Sequence, residues 1–227
     1  MRLLAIDTAL EACAAAVLDT EAGGIIADET TVMARGHAEA SMPMIARVMD
    51  AARLEFAELD RVAVTVGPGS YTGLRVGISA ARGIALVSGK PAVGLSTLAA
   101  HAAPHMAGGE NHTVVVAIDA RHGHVYLQVY GPGGRTLLAP RLAAVADAVR
   151  AATVAGAAVI AGNGAPQLVA AWPAGRERPW ADPRPFPDIG WIARLGAVAE
   201  PASALPKPLY LRKPDARPQD AARLPRQ

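Results

Sequence analysis

The chain has 227 residues, 52% of them hydrophobic and only 4% aromatic, so its core must be filled mainly by alanine and aliphatic side chains. Its 22 glycines and 18 prolines fall short of the share that marks low-complexity chains, which excludes wholesale disorder. A formal net charge of +2 is too small for a general polyanion binder, and the length allows one or two domains.

Residues 3–18, LLAIDTALEACAAAVL, read as strand, turn and strand. Gly23-Gly24 and then Ile25 to Val32 extend the meander by a third strand. A helix is expected from about 37 to 56. In it Met42, Ile45, Met49, Ala52 and Phe56 make one apolar seam, and Met44, Val48 and Ala51 make a second apolar face beside it. One seam suffices to dock on the chain's own sheet. The second face either joins the core as well or is a surplus, adaptable surface for a partner. Pro43 lies in the first turn behind a Ser41 cap or kinks a longer helix. Val62 to Val66 reads as a buried strand, Thr72 to Val87 as a helix that Gly89-Lys90-Pro91 breaks, and Ala92 to Leu95 as another strand, with Ser96 placed to cap a short helix.

Residues 114–130, VVVAIDARHGHVYLQVY, repeat the opening. Ala5-Ile6-Asp7 and Ala117-Ile118-Asp119 stand 112 residues apart, each ending an apolar run, which implies two related lobes. A helix near 141–151, a strand near 157–161, a short helix after Gly164 and a helix near 188–199 follow. Twelve of the 18 prolines fall from Pro166 onward, so the second lobe is expected to be reduced. The boundaries drawn are 1–104, 105–206 and a tail at 207–227. That tail holds six cations and two anions against a mildly acidic body, and is either a contact for RNA or an acidic partner, or a solvated end.

Several groups could carry chemistry. The loop Gly67-Pro68-Gly69-Ser70-Tyr71-Thr72-Gly73 joins a strand to a helix start, where free N–H groups suit a phosphate or carboxylate; a tight turn that demands glycine is the other reading. It matches neither the Walker A nor the dinucleotide spacing. Asp7 and Asp119 end matching strands and could face each other across a cleft to hold a magnesium–phosphate ligand, or each could bond its own turn. Gly73, Gly77 and Ala81 recur every four residues, a small-residue stripe for close helix contact with a partner or with the chain's own sheet, flanked by Arg75 and Arg82. His101 and His105 have a metal-ligand spacing, but Pro104 between them argues against a continuous helix. No GxSxG signature marks a nucleophile. Cys13, the one cysteine, excludes an intrachain disulfide. With neither a signal peptide nor a membrane span to be read, the expected location is the cytoplasm.

Taken together, LAIDTALEACAAAVL (4–18), HAEASMPMI (37–45), VTVGPGSYTGLRVGISAARGIAL (64–86), AVGLSTLAAHA (92–102), VVAIDARHGHVYL (115–127) and PLYLR (208–212) resemble the TsaB family of bacterial threonylcarbamoyladenosine biosynthesis. The resemblance implies an α/β, two-lobed actin-like (ribonuclease H-like) fold, each lobe a mixed sheet with helices. It also implies a non-catalytic subunit that pairs with a TsaD-like catalytic subunit, recruits a TsaE-like P-loop ATPase, meets tRNA only through the complex and homodimerises when alone. His37, Ser41, Met42, Ile45, Met49, Gly73, Leu74, Arg75, Gly77 and Ala81 are then the expected partner-binding residues. Asp7, Thr8, Gly67, Gly69, Ser70 and Asp119 are the expected nucleotide-binding set, with ATP and Mg²⁺ placed, if anywhere, at the complex interface and no cofactor required by this subunit. The catalytic relatives carry a metal-binding histidine pair four residues apart; here Thr97 stands at the first place and His101 at the second. A free-standing ATP-dependent kinase or hydrolase of the same superfamily is the alternative, resting on Asp7, Asp119 and the glycine loop. A peptidase finds no support in the motifs.

Overall fold

A computed structural model describes residues 1–109 and 111–212. Lys213 to Gln227, which carry most of the basic tail, lie outside the described residues. Three strands, β1 (Arg2–Asp7), β2 (Ala12–Asp19) and β3 (Gly24–Val32), form an antiparallel meander. Beyond β1, β4 (Arg61–Gly67) and β5 (Ala92–Ser96) add in parallel, giving the order β3-β2-β1-β4-β5. The second half repeats the plan with β6 (Thr113–Asp119), β7 (His124–Tyr130), β8 (Thr136–Ala144), β9 (Ala157–Ala161) and β10 (Trp180–Asp182), ordered β10-β9-β6-β7-β8. Each β-meander therefore runs into parallel strands on the far side of its first strand. The duplicated Ala-Ile-Asp runs end the two equivalent central strands, β1 and β6.

The helices fill the crossovers. Alternate residues of the first sheet divide its faces. Leu4, Ile6, Val62 and Val64 meet α1 (His37–Ala52) and α2 (Tyr71–Ser88). Leu3, Ala5 and Ala63 meet the helix α6 (Ile189–Val198) on the other face. With both faces covered, β1 and β4 read as nearly unbroken apolar runs. The alanine-rich composition has its use here. A side chain at Gly196 of α6 would lie 2.5 Å from the Ala63 methyl, so helix and sheet touch almost backbone to backbone. Arg61 Nη1 donates to the carbonyls of Gly196 (2.7 Å) and Ala199 (2.6 Å), placing a cation at the carboxyl end of α6. No helix among the described residues is long and apolar enough to cross a membrane.

Several expectations need correction. Residues 189–206, drawn with the second lobe, and 207–209, drawn with the tail, lie on the first sheet, where Gly94 N donates to Ala204 O and Leu209 N to Val66 O. The helix expected from 141 begins only at Val145, as α4 (Val145–Val154), because residues 136–144 finish the second meander as β8. The second lobe is not short of strands. It is reduced in its helices: α4 has 10 residues and α5 (Ala165–Ala170) has 6, against 16 and 18 in α1 and α2. α1 starts at His37 after Gly36, so Ser41 is no cap and Pro43 lies inside the helix; Arg53, with φ 55°, ends it. α3 (Thr97–Met106) runs unbroken through Pro104, which is possible because it stands near the end and removes one hydrogen bond only.

Candidate functional site

The glycine loop after β4 closes on the turn after β1. Ser70 N donates to Ala9 O (2.7 Å), and the Ser70 hydroxyl caps α2 by accepting from Gly73 N (3.3 Å). Thr8 Oγ1 donates to the Gly73 carbonyl (2.7 Å). A side chain at Gly69 would strike Ala9 O, and one at Gly73 would strike Thr8 O. Gly67 has φ +114° and sits under Leu209 O. These glycines thus bring α2 onto the β1–β2 turn, and the amides of Ser70 and Gly73 are engaged inside the chain.

Asp7 does not meet Asp119. Its carboxylate is 1% exposed, with one oxygen accepting from Thr65 Oγ1 and Ala9 N while the other, Oδ2, has no partner among the described residues. Burial pushes its pKa above the ordinary 3.8, against the opposing pull of the Thr65 and Ala9 hydrogen bonds. The folded chain then holds this proton more tightly than the unfolded one. The resulting stability is complete below pH 3.8 and is lost as pH rises through the folded-state value. An Asp7→Asn variant should therefore gain stability relative to the parent as pH rises from 4 to 7, read from denaturant curves at both ends; a pH-independent difference would refute this.

Asp119 does line a cleft between the lobes, a cavity of about 370 Å³ that it shares with Gly69, Ser70, Arg121, Tyr126 and Asn163. Its carboxylate accepts from Arg121 N (2.8 Å), and its amide donates to Asn163 Oδ1 (2.8 Å). Gly162, before Asn163, presses on Ala117 O as the glycine loop presses on Ala9. His37 also borders this cleft, but its Nε2 faces Leu10 O at 3.1 Å. Of the six residues expected to bind nucleotide, Gly69, Ser70 and Asp119 reach the cleft, while Asp7, Thr8 and Gly67 are sealed beneath it. A magnesium–nucleotide held between paired aspartates does not fit this arrangement. Among the described residues no group of three His, Cys, Asp or Glu side chains could hold a metal.

The helix pair also differs from expectation. α1 buries Met44, Ile45, Val48 and Met49 together, along with His37 and Ser41. What read as two faces is one broad stripe, the width a helix needs on a sheet. Likewise Gly73, Leu74, Gly77 and Ala81 of α2 are buried by the chain itself, and a side chain at Gly77 would lie 2.5 Å from Thr8 Oγ1. Of the ten residues expected to touch a partner, Met42 and Arg75 are exposed. Arg75 lies over the Tyr71 ring at 4.0 Å and donates to Tyr210 Oη (3.3 Å), so the PLYLR segment clasps the start of α2. Met42 on α1 is 47% exposed; the outward stripe that sequence reasoning missed lies on α2 and holds Gly83, Leu86 and Val87, the last two 83% and 88% exposed. Gly83 is six residues, about 120° around the helix, from Gly77, and a side chain there would meet nothing within 4 Å. An exposed glycine in a helix interior costs roughly 1 kcal/mol against alanine, and nothing among the described residues requires it.

Thr97 and His101 are buried at the start of α3, and neither Thr97 Oγ1 nor His101 Nε2 has a partner among the described residues. His105 instead pairs with Asp182 Oδ2 at 3.0 Å, and Arg184 binds the same carboxylate. The two histidines do not converge on one ligand.

Two lobes of one strand order, with a cleft between them, define an actin-like α/β protein. The family model of TsaD, tRNA N6-adenosine threonylcarbamoyltransferase, matches residues 13–171. An uncharacterized protein of Mycobacterium tuberculosis is 35% identical over 217 residues, 95% of this chain and 94% of that protein. The tRNA threonylcarbamoyladenosine biosynthesis protein TsaB of Escherichia coli is 36% identical over 130 residues, 57% of this chain and 55% of its own length. The solved structure of YeaZ from Pseudomonas aeruginosa superposes with a TM-score of 0.71 at 26% identity, over 92% of this chain and 99% of that one. The chain belongs to this threonylcarbamoyltransferase family, on its TsaB side.

Proposed function

We propose that this chain is a non-catalytic subunit of tRNA threonylcarbamoyladenosine biosynthesis, pairing with a TsaD-type catalytic subunit through the outward faces of α1 and α2. The observation that carries the reading is the Gly83, Leu86 and Val87 stripe: apolar, exposed and interrupted by a glycine with open space above it. Such a surface suits a second helix at close approach, and a stable pairing buries more than about 1,000 Å² in total. In the absence of the partner the same face pairs two copies of this chain. A TsaE-type ATPase joins the complex, and nucleotide, magnesium and tRNA are engaged by the assembly. The non-catalytic role is supported by Thr97 and His101, a buried pair offering one imidazole, and by the sealed Asp7. That sealing also weighs against a free-standing kinase, which needs its carboxylates at the phosphates.

Gly77→Trp is no clean test, since it would displace Thr8. Gly83→Arg is, because the added side chain enters open space and improves helix propensity. Co-expression with the catalytic subunit should yield a heteromeric mass for the parent and for Gly83→Ala, and separate subunits for Gly83→Arg with thermal stability no lower than the parent's. A complex that survives Gly83→Arg would overturn this interface.

A further inference from the structure

The segment between α5 and β10 has no part in either feature above. With the turn after α4 it encloses a cavity of about 580 Å³, roomier than the cleft between the lobes and within the range of small-ligand sites. Trp172, Trp180, Arg176, Arg178 and Glu177 line it. Trp172 is buried, and its indole N–H donates to Glu177 O (2.9 Å), which ties the loop carrying both arginines to the cavity wall. Trp180 is held through its backbone by β9, and its ring packs against His105 at 5.3 Å and 76°. The rings meet in a T-shaped pair, and Trp180 remains 59% exposed. Arg176 and Arg178 are exposed, and neither forms an ion pair among the described residues. The cavity thus joins a positioned, exposed indole to two guanidiniums without an ion pair among the described residues, and Glu177 also lines it.

We propose that this cavity binds a nucleotide unit, its base stacked on Trp180 and its phosphate held by Arg176 and Arg178. Stacking on an indole serves any base, and the planar guanidinium fork matches phosphate oxygens. The Glu177 carboxylate can accept from an exocyclic amino group, which favours adenine or cytosine over uracil. The unit can belong to a free mononucleotide or to an unpaired stretch of RNA. None of the lining residues lies on α1 or α2, so the assignment stands apart from the pairing interface.

Equilibrium dialysis of the isolated full chain against radiolabelled AMP and against a single-stranded octaadenylate tests it. Saturable binding of either probe is expected, weakened about tenfold by Trp180→Ala and likewise by Arg178→Glu, with thermal unfolding unchanged because both side chains are exposed. Octamer affinity well above that of AMP, with a salt slope that falls by about 0.7 for each phosphate contact removed, assigns the site to RNA; equal affinities assign it to the free nucleotide. The proposal is overturned if neither probe binds at millimolar concentration, or if binding is the same in the parent and in both variants.

Discussion

Gly73→Ala is expected to destabilise the chain by about 3 kcal/mol, whereas Gly83→Ala on the same helix stabilises it by about 1 kcal/mol. The two glycines look alike in sequence. At Gly73 the new methyl group would run into the Thr8 carbonyl, part of a turn that also holds the Ser70 amide and the Thr8–Gly73 hydrogen bond. Backbone cannot swing aside as a flexible side chain does, so either α2 lifts from the sheet or the β1–β2 turn shifts. At Gly83 the methyl enters solvent and removes only the conformational freedom of glycine in the unfolded chain. Denaturant unfolding of the purified chain, with equal slopes for all variants, gives the comparison directly. Equal effects at the two positions would mean that α2 does not lie on Thr8 as described.

The second large effect is an acid transition centred on His101. Burial pushes this imidazole down from 6.5 to about 4; Asp182 pulls the other way without compensating, and Arg184 and His105 add to the depression. The unfolded chain therefore takes up a proton between pH 6.5 and 4 that the folded chain refuses. Stability from this group is complete above pH 6.5 and is lost as pH falls towards 4, a change of about 3 kcal/mol at 1.36 kcal/mol per unit. His101→Leu removes both the proton and the unpartnered Nε2. Relative to the parent it should gain stability as pH falls across that range, as measured by unfolding of both at pH 4.5 and 7. Parallel pH profiles would show that His101 is not the group responsible. The Asp7→Asn comparison has the opposite sign and lies mainly above pH 3.8, so the two variants separate the buried acid from the buried base.

Much of the fold was legible before any coordinates. Apolar runs marked most of the strands, and the duplicated Ala-Ile-Asp runs marked the two lobes, because a strand's pattern is local and a duplicated unit repeats it. The loop Gly67–Gly73 was legible as a place of close approach, since only glycine tolerates it. The strand β8 was not, because residues 136–144 offer few β-branched side chains and take their conformation from β7. The return of α6 to the first sheet was hidden for a similar reason: a small-faced helix fits either lobe, and only Arg61 and the space above Ala63 decide which.

The sequence by itself determined that this is a duplicated α/β protein with two helices crowded with small and sulfur-bearing residues. Only the tertiary structure decided which side of each helix the chain keeps for itself. A small residue reports that something comes near, and the partner in that contact belongs to another part of the chain. Gly77 faces Thr8 and Gly83 faces open space, and Asp7 is sealed while Asp119 is open, because burial is set by what folds over a residue and not by the residue itself.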